Sequence, residues 1–346
     1  MSEIIEMRSF QDDKFTFVVL FGMTSAKSGP LHRLSVVRFS KTSFALPKMT
    51  HTLVVEVPED AGTIGFDVAP VAGFGAWVML QFGSKQTNFY QIRTDAVFID
   101  DPTAISGTMS APDRTKKIDI VPACPCGVSQ TLSFYGRTAE KKLYLVSLTE
   151  SGFKAKCLGV VIDGRLRNTR NGLLAIHTTK WSLLDTSRSQ ASIIQEGKTD
   201  GMARDVCFFK TANGTDGAVV LNRSGEALVQ IGKDISRIEV GGQDVTAIEI
   251  APDKSILVGL KDGSVHSVAI YALDRPLKTM KFPYYTESKV TGICACPQGR
   301  VFVCVDGVLW ETDAAIEAQD RWTMARYIGN ILIVCILIYA SLFIGM

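Results

Sequence analysis

"VTAIEIAPDKSILVGLKDGSV", Val245 to Val265, is echoed forty-five residues on by "VTGICACPQGRVFVCVDGV", Val290 to Val308. Both begin V-T-x-I, carry a proline at the eighth position, run on through β-branched residues and arrive at Asp-Gly. Short β-branched runs bounded by turn formers read as strands, and Asp-Gly is a strong hairpin signal. Weaker echoes start at Thr63, "TIGFDVAPVAGFGAWVML", and at Lys117, "KIDIVPACPCGVSQTLSFYG".

The same grammar fills the rest of the chain. "FTFVVLF", "HRLSVVRF", "HTLVVEV", "AWVMLQF", "KLYLVSL", "GLLAIHT", "GAVVLNR" and "EALVQIG" are apolar runs separated by Gly, Asp, Asn, Ser or Lys clusters. Helical periodicity is absent until roughly residues 312–326. The chain is therefore expected to be all-β. A period near forty with four strands per unit is the pattern of a β-propeller of WD-repeat type. Seven units are expected, starting near Phe15, Thr63, Lys117, Val160, Ala203, Val245 and Val290. The seventh has room for about three strands before Trp310, so the N-terminal "SEIIEMRSF" is expected to pair with it and close the ring. Closure matters because it removes an exposed strand edge. The domain reading is a propeller over 1–312, a juxtamembrane helix or linker over 313–327, and a membrane anchor over 328–346.

That anchor rests on "RYIGNILIVCILIYASLFIGM". From Ile328 to Met346 there is no charge, and eleven of nineteen residues are Ile, Leu, Val or Phe: Ile328, Ile331, Leu332, Ile333, Val334, Ile336, Leu337, Ile338, Leu342, Phe343 and Ile344. A helix of this length spans roughly 28 Å, near the thickness of a bilayer's hydrocarbon core. The N-terminal "MSEIIEMRSFQDDKFTF" has no apolar run of signal-peptide length, and Arg321 and Arg326 precede the span. The expectation is a single-pass, tail-anchored protein whose propeller faces the cytosol. Its moderate span suits the thin endoplasmic-reticulum membrane. Two sequons, Asn213-Gly-Thr215 and Asn222-Arg-Ser224, would then stay unmodified and report orientation.

With 37 basic and 35 acidic residues, net +2, the chain offers no field for nucleic acid. The eight cysteines are scattered and read as reduced thiols. Cys124-Pro-Cys126 and Cys294-Ala-Cys296 are close pairs, but zinc sites generally space their ligands wider, so buried core thiols are expected. His32, His51, His177 and His266 stand in no metal or nucleophile motif, and His266 is expected to hydrogen-bond within its own unit. "GPLHRLS", "GFGAW" and "GGQDVT" lack the Lys-Ser/Thr and helix of a phosphate loop. No catalytic constellation of side chains emerges, and a binding scaffold is the expectation.

One connection is unusual. Between "FTFVVLF" and "HRLSVVRF" lies "GMTSAKSGPL", Gly22 to Leu31, read as a ten-residue loop where a hairpin needs two to five. Small residues there let a backbone approach a partner closely. The order of first strand, Gly-containing loop, "HRLSVVRF", "HTLVVEV" and "GTIGFDVAP" resembles the start of the Sec-twelve/PREB family. The late units and the C-terminal span are similar too. That family consists of endoplasmic-reticulum exchange factors for the Sar-type small GTPase that starts COPII coat assembly. The resemblance implies that Gly22, Lys27, Gly29, Pro30, Leu31 and His32 contact the GTPase. Family members help hold a potassium ion in this loop with glycines and asparagines. Here the loop has Gly22 and Gly29, no asparagine, and a cationic Lys27 that can stand in the ion's place. The alternative from another class is a tail-anchored propeller that tethers trafficking proteins without promoting exchange.

Overall fold

The computed structural model describes residues 2–26, 29–40, 48–58, 61–62, 64–95, 98–113, 116–169, 171–199, 201–251, 254–281, 288–295 and 300–313. Of the juxtamembrane and anchor segments expected over 313–346, Asp313 ends a strand instead and the rest lie outside these residues, as do Lys27 and Cys296. Among the described residues no helix is long and apolar enough to cross a membrane.

Seven antiparallel sheets follow one another along the chain. Blade 1 holds Ser2–Gln11, Phe15–Ala26, Gly29–Ser40 and Lys48–Val55. Blade 2 holds Ile64–Val71, Gly75–Phe82 and Gln86–Arg93, whose outer side pairs with both Phe98–Ile99 and Thr103–Ser106. Blade 3 has Met109–Asp113 ahead of Lys116–Pro125, Ser133–Arg137, Lys142–Thr149 and Gly152–Val161. Blades 4, 5 and 6 begin with inner strands Arg165–Thr169, Ala203–Lys210 and Val245–Ile250, each followed by three more strands. Blade 7 has three described strands, Val290–Ala295, Arg300–Val305 and Val308–Asp313.

The near-continuous apolar runs follow from this arrangement, because successive side chains of a strand point to opposite faces and both faces are covered. In "FTFVVLF", Phe17, Val19 and Phe21 pack with Phe66, Val68 and Leu80 of blade 2. The intervening Val18 and Leu20 pack with Cys294, Phe302 and Cys304 of blade 7. The other blades repeat the scheme. Distinct apolar clusters fill the seams between blades 2 and 3, 3 and 4, 4 and 5, 5 and 6, and 6 and 7. With the two seams of blade 1, they close a ring of seven.

The closure differs from the expectation. Ser2–Gln11 pairs within blade 1, from Ser2 opposite Thr24 to Gln11 opposite Thr16, and so becomes the inner strand of the first blade. The first unit thus starts at Ser2 rather than near Phe15. The cause is local: Asp12 Oδ1 accepts from the backbone of Lys14 (2.8 Å) and Phe15 (2.6 Å), folding the chain back at once. Such a short loop costs far less closure entropy than pairing across the whole chain. Blades 7 and 1 instead meet through side chains, with the Phe39 and Phe302 rings 3.9 Å apart between centroids.

The V-T-x-I repeat also acquires a cause. The inner ladder has a register shift between Val245 and Ala247 and again between Val290 and Gly292. The threonine in each irregularity turns its hydroxyl onto the neighbouring strand: Thr246 Oγ1 donates to Gly259 O (3.2 Å), Thr291 Oγ1 to Cys304 O (3.3 Å). Bulges sharpen strand twist, as the wedge shape of a blade demands. The Asp-Gly pairs make the turns, and Asp306 (φ 50°) with Gly307 (φ 70°) has the two positive φ values of a type I′ hairpin.

Candidate functional site

The inner strands surround an axial cavity of about 540 Å³. Among the described residues the inner strands of blades 2, 5 and 6 have one edge without a partner strand, so backbone N–H groups along it need other acceptors. Carboxylates supply them. Asp67 Oδ1 accepts from Val68 N (2.9 Å), Asp205 Oδ1 from Val206 N (2.8 Å) and Glu249 Oε1 from Ile250 N (2.9 Å).

These acids meet two arginines. Arg167 of blade 4 ion-pairs through Nη1 with Asp205 of blade 5. Arg8 of blade 1 lies near Glu6 (3.4 Å), donates from Nη1 to Met7 O (2.7 Å), and stands 5.9 Å from the Phe66 ring centre. Burial opposes the charge on Asp205, but the Arg167 guanidinium, with Arg8, holds its carboxyl below the usual carboxylate range. Burial likewise works against Arg167, and Asp205 more than compensates, raising it above the ordinary guanidinium value. Burial, then repulsion from Arg167, lowers Arg8.

A second knot ties blades 2, 3 and 4. Asp67 Oδ2 accepts from Cys124 Sγ (2.9 Å) and from Asn168 N (2.8 Å), while Asn168 Nδ2 donates to Pro125 O (2.5 Å). Burial first, then the Asp67 charge, pushes the Cys124 thiol well above its ordinary value. Burial and the Glu249 charge do the same to Cys207 in the cavity wall. Both thiols stay protonated, the form that is a poor nucleophile and metal ligand. Cys126 and Cys294 are buried as well, in accord with core thiols.

None of Arg8, Asp67, Arg167, Asp205 and Glu249 stood out in the sequence. The signal that points to them is a recurrent acid before a β-branched residue on the first strand of a unit: Asp67-Val68, Asp205-Val206, Glu249-Ile250.

The stretch singled out in blade 1 has a different form from the one expected. It is no ten-residue loop: the strands continue through Gly22–Arg33, Met23–His32, Thr24–Leu31 and Ser25–Pro30 to Ala26–Gly29. Lys27 and Ser28, between the two strands, lie outside the described residues. Cross-strand support overrides the low strand preference of Gly, Ser and Ala here. Thr24 and Met23 also pair with Ser2 and Glu3, His32 pairs with Val55, and the His32 ring lies 11° from parallel to Phe21 at 5.9 Å. Gly22, Gly29, Pro30, Leu31 and His32 therefore sit along a stiff hairpin. Gly22 and Gly29, the glycines the resemblance places at a potassium site, stand in this ladder opposite Arg33 and Ala26.

The remaining histidines are dispersed. His177 Nδ1 lies 2.8 Å from Asp163 O, and Ile99 N donates to His51 Nδ1 at 3.4 Å. His266 does not make the bond expected of it: its Nδ1 is buried without a partner among the described residues. Of the two sequons, Asn213 is exposed, but Asn222 is 2% exposed and cannot report orientation.

No protein-family model matches the sequence, and no curated protein matches it. Among solved structures the Saccharomyces cerevisiae Sqt1 is similar, with a TM-score of 0.50 and 11% identity over 90% of this chain and 83% of that one. The WD40 β-propeller domain of Doa1 is also similar, with a TM-score of 0.48 and 12% identity over 90% of this chain and 96% of that chain. At such identities the likeness concerns the fold alone. The molecule is a seven-bladed β-propeller.

Proposed function

We propose that this propeller is a guanine-nucleotide exchange factor for a Sar-type small GTPase, anchored in the endoplasmic-reticulum membrane by residues 328–346 and facing the cytosol. The observation that carries the reading is the blade 1 hairpin. Its ladder continues to Ala26–Gly29, two pairs past the end of the inner strand at Ser2–Thr24, so a paired two-stranded finger runs on beyond that strand. A stiff element loses little entropy on binding, which suits it to holding a GTPase in its nucleotide-free form.

The mechanism is linkage. A partner that binds the nucleotide-free GTPase better than the loaded one lowers nucleotide affinity by the same factor. Gly22 and Gly29 set the finger's path, and Lys27, Pro30, Leu31 and His32 make the contacts. The anchor keeps the activated GTPase beside the bilayer it must enter, a gain in effective concentration.

A plain tether for trafficking proteins is the second reading. It is favoured by exposed apolar side chains on outer strands, such as Ile193, Ile194 and Ile235. Release of fluorescent GDP from the Sar-type GTPase, with the full-length chain in liposomes, separates the two. Acceleration above the intrinsic rate supports exchange, and unchanged release with GTPase retained on the liposomes supports the tether.

A further inference from the structure

We propose that the axial cavity binds a small oxyanion, a carboxylate or a phosphate ester, clamped between Arg8 and Arg167. The two arginines come from blades 1 and 4, far apart around the ring, and line one cavity of about 540 Å³. Each uses only part of its donor fork. Arg167 gives Nη1 to Asp205, and Arg8 gives Nη1 to Met7 O. The Nε–H of both is buried and has no acceptor among the described residues. Buried donors of this kind are ordinarily satisfied, and two of them on arginines that line one cavity leave the cluster short of acceptors.

The chemistry of that acceptor follows from the donors. Guanidinium groups match the planar or tetrahedral oxygens of carboxylate and phosphate, and Arg is the residue that recognises both. The wall favours an anion as well. Besides Arg8 and Arg167 it carries Arg165, Arg204 and Lys289, so five cations face four carboxylates, Glu6, Asp67, Asp205 and Glu249. The acids are committed: Asp67, Asp205 and Glu249 each hold a backbone N–H, and Asp205 also holds Arg167. Arg8 is lowered by its burial and then by Arg167, against the opposing pull of Glu6, Asp205 and Asp67, and an anion between the two arginines relieves their repulsion. A ligand here would join blade 1 to blade 4 across the axis, independently of the finger that contacts a GTPase.

The test is thermal unfolding of the full-length protein in detergent, titrated with inorganic phosphate or with malonate at constant ionic strength. Binding to the folded state alone raises the melting temperature along a saturating curve, whereas general salting effects do not saturate at millimolar concentration. The wild type should saturate with at least one anion, and the preferred anion identifies the ligand class. Arg8→Gln and Arg167→Gln should lose the saturating part. Where either fails to fold, Arg8→Lys keeps the charge but loses the fork, and apparent affinity should fall about tenfold. No saturating response of the wild type to either anion would overturn the site. So would a response left intact by every arginine substitution.

Discussion

Arg167 and Asp205 form an ion pair across the boundary of blades 4 and 5, beside the axis, with only 18% and 22% of their side chains exposed. Blades 4 and 5 are thus joined twice, by an apolar seam and by charge at the inner rim. In a ring whose ends meet through side chains rather than a shared strand, such ties help keep the blades in register.

Asp205→Asn should therefore destabilise the propeller by about 2–3 kcal/mol, below the 3–5 typical of a fully buried pair because some solvent reaches both groups. The same carboxyl predicts a pH dependence. Its folded value lies below its unfolded one, so its contribution is complete above the unfolded carboxylate range of about 4 and disappears as pH falls through the lower folded value. Chemical denaturation of the two proteins between pH 2 and 6 should show curves that converge toward the acid end.

Thr246→Val and Thr291→Val each remove one hydroxyl bond to a neighbouring-strand carbonyl, at Gly259 and Cys304. Each should cost about 1 kcal/mol, the usual net value of such a bond. The bonds belong to separate blades, so the double variant should show the sum within about 0.5 kcal/mol. Denaturant midpoints with unchanged slopes would check this.

Asn213 is an exposed sequon residue. With the propeller on the cytosolic side it should stay unglycosylated when the full chain is expressed in eukaryotic cells, and a glycosidase should leave its mobility unchanged. A shift that disappears in Asn213→Gln would place the body on the lumenal side.

The blade 1 finger can be removed at the loss of one inner-strand pair, Ser2–Thr24. Met23 and His32 are a cross-strand pair, so replacing residues 24–31 by Asn-Gly leaves a hairpin of favoured type. Stability should change by less than about 1 kcal/mol, as for most surface changes. Exchange should drop to the intrinsic rate of the GTPase.

What the sequence made legible was what repeats. Val245-Thr246 and Val290-Thr291 mark the same bulge in two blades, and that local geometry leaves an imprint at fixed spacing. The unit starts at Thr63, Lys117, Ala203, Val245 and Val290 lie within a residue or so of observed strands, whereas Val160 falls in the outer strand Gly152–Val161 of blade 3 and the fourth unit begins at Arg165. The outer strand Asp234–Arg237 is exposed throughout and has no apolar pattern to announce it. The finger was hidden because "GMTSAKSG" has turn-like composition, and only the flanking strands hold it extended. The axial cluster was hidden for another reason: Arg8, Asp67, Arg167 and Asp205 are scattered over two hundred positions, and only ring closure brings them together. The N-terminal strand was legible as a strand, yet its partner was decided by the Asp12 turn.

The central claim is tested most directly by GDP release. Full-length protein is reconstituted in liposomes, mixed with a Sar-type GTPase carrying fluorescent GDP, and chased with excess GTP. Release should run well above the intrinsic rate and fall to that rate with the Asn-Gly replacement of residues 24–31. Release at the intrinsic rate with correctly folded, β-rich wild-type protein would contradict that claim.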